Sequence, residues 1–169
     1  MRRFSLLTVF IGFWTFTIAQ NSALEYFEEA RQLYKEKNYG EALLAFDKAM
    51  QMNPDYSWAI HKMKAQIKEE LGDYVGAVYE YNRALEFNIE DAESYVLRGK
   101  AKFDYGDEQG AYDDFNKAIS LNPSYGMAYF ERGMVKGSQG NKKASCEDWR
   151  KAVELGYSEA SKCIRSFCN

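Results

Sequence analysis

Bulky and small residues alternate along this chain with two nested periods. At the shorter one, a bulky residue is followed four positions later by a small one: Tyr26 and Ala30, His61 and Ala65, Tyr95 and Gly99, Tyr129 and Gly133. A second set reads small, aromatic, small: Ala42-Phe46-Ala49, Ala77-Tyr81-Ala84, Ala111-Phe115-Ala118 and Ser145-Trp149-Ala152. Spacings of three and four put residues on one face of a helix, so each set predicts a helix whose gap receives a neighbour's ring. The longer period is thirty-four. Gly72, Gly106 and Gly140 stand at it, as do Asp73, Asp107 and Asn141, and Phe87, Leu121 and Leu155. The upstream copy precedes by thirty-five. Pro54 to His61 spans seven positions where Pro123 to Tyr129 spans six, so the extra residue lies in the loop around Asp55 to Ser57.

Each unit therefore reads as two helices joined by a tight turn at Lys37-Asn38, Gly72-Asp73, Gly106-Asp107 or Gly140-Asn141. Glycine supplies a left-handed helix end, and Asp or Asn caps the helix that follows. Asn53-Pro54 and Asn122-Pro123 stop the second helices of their units. The predicted helices are 22–36, 40–52, 57–71, 74–87, 92–105, 108–121, 126–139 and 142–155. A last helix over 158–167, with Ala160, Ile164 and Phe167 on one face, would lid the final pair. The units run over about 23–56, 57–91, 92–125 and 126–157.

These residues resemble the tetratricopeptide repeat, a 34-residue helix pair with the pattern W-x2-L-G-x2-Y…A-x3-F…P. The second half of the pattern is met by Ala42-x3-Phe46…Pro54 and Ala111-x3-Phe115…Pro123. The first half departs from it: Tyr or His replaces Trp, Glu29, Lys64, Arg98 and Arg132 replace Leu, and Leu33, Lys68, Lys102 and Lys136 replace Tyr. The resemblance implies an all-α fold, a right-handed superhelix of four helix pairs with a capping helix. It also implies a groove, lined by the first helix of each pair, that takes a peptide or protein segment. Phasing that face from the Tyr/His column gives Phe27, Arg31 and Tyr34, then Lys62, Gln66 and Glu69, then Val96, Lys100 and Phe103, then Phe130, Met134 and Gly137. Its ends are apolar and its middle is mixed, although Phe27 and Phe130 also suit an inter-repeat core. The clamp with which some relatives hold acidic chaperone tails begins with Lys and Asn; Phe27 and Arg31 stand there instead.

Composition adds a compartment. Arg2-Arg3 precedes sixteen uncharged residues, Phe4 to Ala19, and Thr17 and Ala19 are small. That is the order of a secretory signal peptide over 1–19, cut after Ala19, which leaves a domain over 20–169 and no stable membrane span. The alternative is a retained anchor, but sixteen residues at about 1.5 Å each cover roughly 24 Å, short of the hydrocarbon core. Export points to a periplasmic or secreted protein. Net charge is -3 for the whole chain, and -5 once the two arginines are removed (20 basic against 25 acidic residues). A mildly acidic chain is a poor candidate for nucleic acid, whose phosphates need clustered Lys and Arg.

Chemistry is sparse. His61 is the single histidine and stands in a packing column, so neither a metal triad nor a catalytic dyad is available. Asp113-Asp114 and Glu28-Glu29 are adjacent and diverge around their helices, which reads as solvated charge. No cofactor motif is present, and the chain is expected not to be an enzyme. Three cysteines remain. In a helical hairpin turning near Gly156-Tyr157, facing residues sum to about 313 or 314; Cys146 with Cys168 meets that sum and Cys146 with Cys163 does not. The pairing Cys146–Cys168 is expected, worth roughly 3 kcal/mol through loop closure, with three reduced thiols as the alternative. The expected function is a protein-interaction scaffold, the alternative an accessory or regulatory subunit of an envelope enzyme or transporter.

Overall fold

The computed structural model describes residues 22–168; the expected signal segment and its cleavage site lie outside the described residues. The helices are α1 (22–35), α2 (Tyr39–Met52), α3 (Ser57–Glu70), α4 (Tyr74–Phe87), α5 (Ala92–Tyr105), α6 (Glu108–Leu121), α7 (Gly126–Ser138), α8 (Lys142–Glu154) and α9 (Ala160–Phe167). No strand occurs among the described residues. Successive helices pack as antiparallel pairs, α3 on α4, α5 on α6 and α7 on α8, and each pair stacks on the next. The result is an α-α superhelix closed at one end by α9.

The turns within pairs share one geometry. Gly72, Gly106 and Gly140 have φ of 74°, 97° and 76°, and Lys37 takes the same left-handed conformation at 61°. At each, the second residue of the turn donates its N–H to a carbonyl five residues back, such as Asp107 to Lys102 at 2.8 Å and Asn38 to Leu33 at 2.9 Å. Asp73, Asp107 and Asn141 then accept from backbone N–H groups of the next helix at 2.9–3.2 Å. Asn38 does not cap as expected. Its amide donates to Glu41 at 2.8 Å instead. The extra loop residue near Asp55 is taken up by a 3-10 turn, Pro54–Tyr56, which sets Tyr56 flat on Phe27 at 5.5 Å.

The small and aromatic columns meet within each pair. A methyl on Gly99 would lie 2.6 Å from the ring of Phe115, and one on Gly133 2.6 Å from Nε1 of Trp149. Phe46, Tyr81 and Phe115 are fully or almost fully buried at the centres of three pairs.

The departures from the repeat pattern are answered by buried carboxylates. Arg98 grips Asp114 with two hydrogen bonds of 2.9 and 2.6 Å and reaches Asn82 on α4 at 2.7 Å. Lys102 holds the same carboxylate at 2.9 Å. One unit later Arg132, Lys136, Asp148 and Asn116 repeat the arrangement at 2.7–2.8 Å. Each arginine thus ties three successive helices. Asp114 is buried, not solvated; its partner Asp113 is the exposed one. The period places Glu80 at this position in the second unit. There it faces His61 Nδ1 at 2.7 Å, and the His61 ring stacks on Phe87.

α9 begins at Ala160, two residues later than its pattern suggests, because Gly156 turns left-handed at φ 88° and Ser158 and Glu159 complete the turn. Ala160 is buried against α8, and Phe167 meets Trp149 edge-on at 5.8 Å. Cys146 is bonded to Cys168, with Cα atoms 5.8 Å apart, and Cys163 is free. The hairpin register selects that pair because one end of the bond lies a turn inside α8 and the other just past α9.

Candidate functional site

The first helices converge on one side of the superhelix: α5 touches α7 directly, while α4, α6 and α8 have no comparable contact with one another. That side is concave. At its C-terminal end the inner surfaces of α5 and α7, the Trp149 side chain of α8 and the face of α9 enclose an open cavity of about 440 Å³. Phe103, Met134 and Gly137 form one wall, Trp149 the floor, and Cys163 and Phe167 the opposite wall; Lys162 and Ser166 stand on the α9 side.

Three of the twelve residues phased from the sequence line this cavity, one from α5 and two from α7. The remainder divide. Lys100 lies 3.8 Å from Glu131, one helix over. Lys62 bridges α3 to the start of α5, at 2.5 Å from Glu93 and 3.3 Å from Asp91, and lies over the Trp58 ring. Glu69 accepts a hydrogen bond from the Tyr81 hydroxyl at 2.8 Å. Tyr34 and Gln66 are half-buried on the same side, and Arg31 is exposed and paired with Glu28. Val96 has no exposed surface and belongs to the core of the α5–α6 pair, so it offers a partner nothing. Phe27 meets Phe46 edge-on at 5.7 Å as well as stacking on Tyr56, and it cements the first pair to the second. Phe130 packs on Tyr157 at 5.1 Å while its carbonyl accepts the Trp149 N–H at 3.3 Å. The phased row therefore drifts from the groove into the core at its first column, Phe27, Val96 and Phe130, and is partly or fully exposed from the second column on.

Sequence reasoning passed over the acids beside that row. Glu131 follows Phe130 and Asp104 follows Phe103. Burial is the main force on Glu131 and raises its pKa to about 7; Lys100 pulls it down, while Asp104 and Glu159 push it up. Burial also raises Glu69, against the Tyr81 hydrogen bond and Lys100, with Asp104 adding to the rise. Tyr157 donates to Glu159 at 2.8 Å, and burial and that carboxylate hold its hydroxyl well above the usual range. Glu69, Asp104, Glu131 and Glu159 thus influence one another across α3, α5, α7 and the turn before α9. Shifting the phase by one residue would have found Asp104 and Glu131. Nothing in the pattern marks Glu159, whose place depends on how α9 docks.

Residues 92–125, the α5–α6 pair with its flanking turns, match the tetratricopeptide repeat family model. The chain carries a tetratricopeptide repeat. Solved structures share most of the arrangement. The crystal structure of MamA protein superposes with a TM-score of 0.71 at 22% identity, over 82% of this chain and 76% of that one. A tetratricopeptide repeat protein from Parabacteroides merdae gives 0.72 at 20% identity, over 80% of this chain and 54% of that one. The first such domain of Spaghetti (RPAP3), bound to the HSP90 peptide SRMEEVD, gives 0.65 at 23% identity, over 72% of this chain and 95% of that one. At these identities the likeness establishes the fold. No curated protein matches the sequence. Among the described residues no helix is long and apolar enough to cross a membrane.

Proposed function

We propose that this protein is an exported interaction scaffold that binds an extended or helical peptide segment of another protein along its concave side. The observation that carries the reading is the apolar cavity between α5, α7 and α9, open on that side. A cavity of this size suits one or two apolar anchor side chains, and a row of polar groups leading to it can hold the rest of a segment. The peptide-bound Spaghetti domain supports the reading by analogy of fold. The reading assigns the protein no catalytic step. Export rests on the Arg2-Arg3 start, the uncharged stretch to Ala19 and the small residues Thr17 and Ala19.

Crosslinking in native extract, with mass spectrometry of the adducts, tests the binding role. Adducts should join Lys100 or Lys162 to a segment of a second protein, and Met134→Arg, which puts a cation and bulk into the cavity mouth, should remove them. Adducts confined to the outer helices α4 and α6 would overturn the concave assignment. A stable stoichiometric enzyme or transporter partner would identify the chain as an accessory subunit. Intact mass of the native protein should begin at Gln20; a chain beginning at Met1 in membranes would replace export by anchoring.

A further inference from the structure

Resting on that reading, the charge around the cavity points to the chemistry of what enters it. We infer that the concave side takes a cationic segment, rich in Lys or Arg, whose apolar side chain seats in the cavity between α5, α7 and α9. Asp104 adjoins the lining residue Phe103, and Glu131 and Glu159 stand one helical turn before the lining residues Met134 and Lys162, while Glu69 on α3 feels the charge of Asp104. Against them stand Lys100, already 3.8 Å from Glu131, and Lys162 on the α9 lip. Lys62 is occupied by Asp91 and Glu93 further up the groove. Lys162 is the charged residue on the lining itself, and the four acids around it outnumber Lys100 and Lys162.

The burial of Glu131 sharpens the argument. Glu131 has only 13% of its side chain exposed. Burial holds Glu131 partly protonated, and its ion-pair partner Lys100 stands 3.8 Å away, beyond hydrogen-bond reach, so an arriving ammonium or guanidinium would relieve an unfavourable charge. An acidic segment such as SRMEEVD, the peptide in the Spaghetti complex, would add carboxylates to a row that already repels itself. Position links the two features. Met134 follows Glu131 by three residues on α7, Phe103 adjoins Asp104 on α5, and Lys162 follows Glu159 by three at the start of α9. Cation and anchor can thus belong to one short segment.

Calorimetric titration of the full protein with matched peptides decides this. The peptides share one Phe and one Leu and differ in carrying Lys, Glu or Ser around them; SRMEEVD is a fourth probe. The Lys peptide should bind about tenfold or more tighter than the Ser peptide, since several partly exposed charge pairs add up. The Glu peptide and SRMEEVD should bind more weakly than the Ser peptide. The Lys advantage should shrink in high salt. A Glu69→Gln/Glu131→Gln double variant, with helicity checked by circular dichroism, should lose most of that advantage. Met134→Arg should weaken the Lys and Ser peptides alike. Equal binding of the Lys, Ser and Glu peptides, or a preference for Glu, would overturn the cationic assignment and leave peptide binding standing. Binding unaffected by Met134→Arg would overturn the cavity as the anchor site. Failure of all four peptides would overturn both this inference and the proposed function.

Discussion

At the scale of single residues, the packing of each pair turns on one missing methyl. An alanine at Gly99 or Gly133 would bring its Cβ to 2.6 Å from an aromatic ring atom. The same column nevertheless holds Ala30 and Ala65 opposite Phe46 and Tyr81. A single six-membered ring can therefore shift enough to admit a methyl. An indole has less freedom: Trp149 is buried, donates to the Phe130 carbonyl and is met edge-on by Phe167. Replacing a helical glycine by alanine contributes about 1 kcal/mol of stability, whereas overpacking costs about 1–3 kcal/mol. Gly99→Ala is expected to be near neutral and Gly133→Ala to destabilise by about 1–2 kcal/mol, read by urea denaturation. Equal effects at the two positions would show that ring size does not govern the column. The column itself was legible in the sequence because it recurs four times. The side chains around it were less so. Periodicity fixes a face only to within a residue, and that margin separates the buried Val96 from the partly exposed Lys100 and the exposed Asp104. The buried state of Asp114 was hidden because its partners Arg98 and Lys102 lie on another helix, sixteen and twelve positions away.

At the scale of elements, the helices stood out because their stops are local: left-handed turns at Lys37, Gly72, Gly106 and Gly140, and Asn-Pro pairs after α2 and α6. Pairing followed from the short connections, which leave antiparallel packing as the natural outcome. The ion staples that replace the repeat's Leu and Tyr were not legible as staples, since each needs the depth of a carboxylate on the second helix. The lid was legible in its register and not in its consequence. Cys146–Cys168 holds α9 so that Cys163 and Phe167 wall the cavity, and the sequence shows no cavity. Closing a loop over a separation of 22 residues is worth about 3 kcal/mol in the chain-entropy picture. A Cys146→Ser/Cys168→Ser variant should lose about that much stability. Hydrogen exchange should rise most in 160–167 and little in α5 and α6, because α9 packs mainly on α8. Unchanged protection of 160–167 would mean that apolar packing alone fixes the lid.

At the scale of the whole molecule, the repeat places one helix of every pair on the concave side, so an acid on each of three first helices becomes a row that no single unit contains. Glu131 makes that row measurable. Burial raises it from 4.5 to about 7, with Lys100 opposing and Asp104 and Glu159 assisting the rise. Between those two values the folded chain keeps a proton that the unfolded chain has released. Stability from this group is therefore fully present below about pH 4.5 and is lost as pH rises through about 7, by up to roughly 3 kcal/mol. Asp73 and Asp91 are lowered, Asp73 by the Gly76 N–H and Lys68, Asp91 by Ser94 and Lys62 against its own burial. Their contribution runs the other way: it is lost as pH falls below about 4 and is constant above about pH 5. Thermal unfolding between about pH 5 and pH 8 should therefore show the protein losing stability relative to Glu131→Gln, which has no proton to release there. A cationic peptide bound beside Glu131 would favour its ionised form, so binding at about pH 7 should expel part of a proton and tighten as pH rises. Calorimetry in two buffers of different ionisation enthalpy measures that release. Parallel pH profiles for the protein and Glu131→Gln, or binding without proton release, would show that Glu131 is ionised at neutral pH and that its burial costs the fold nothing.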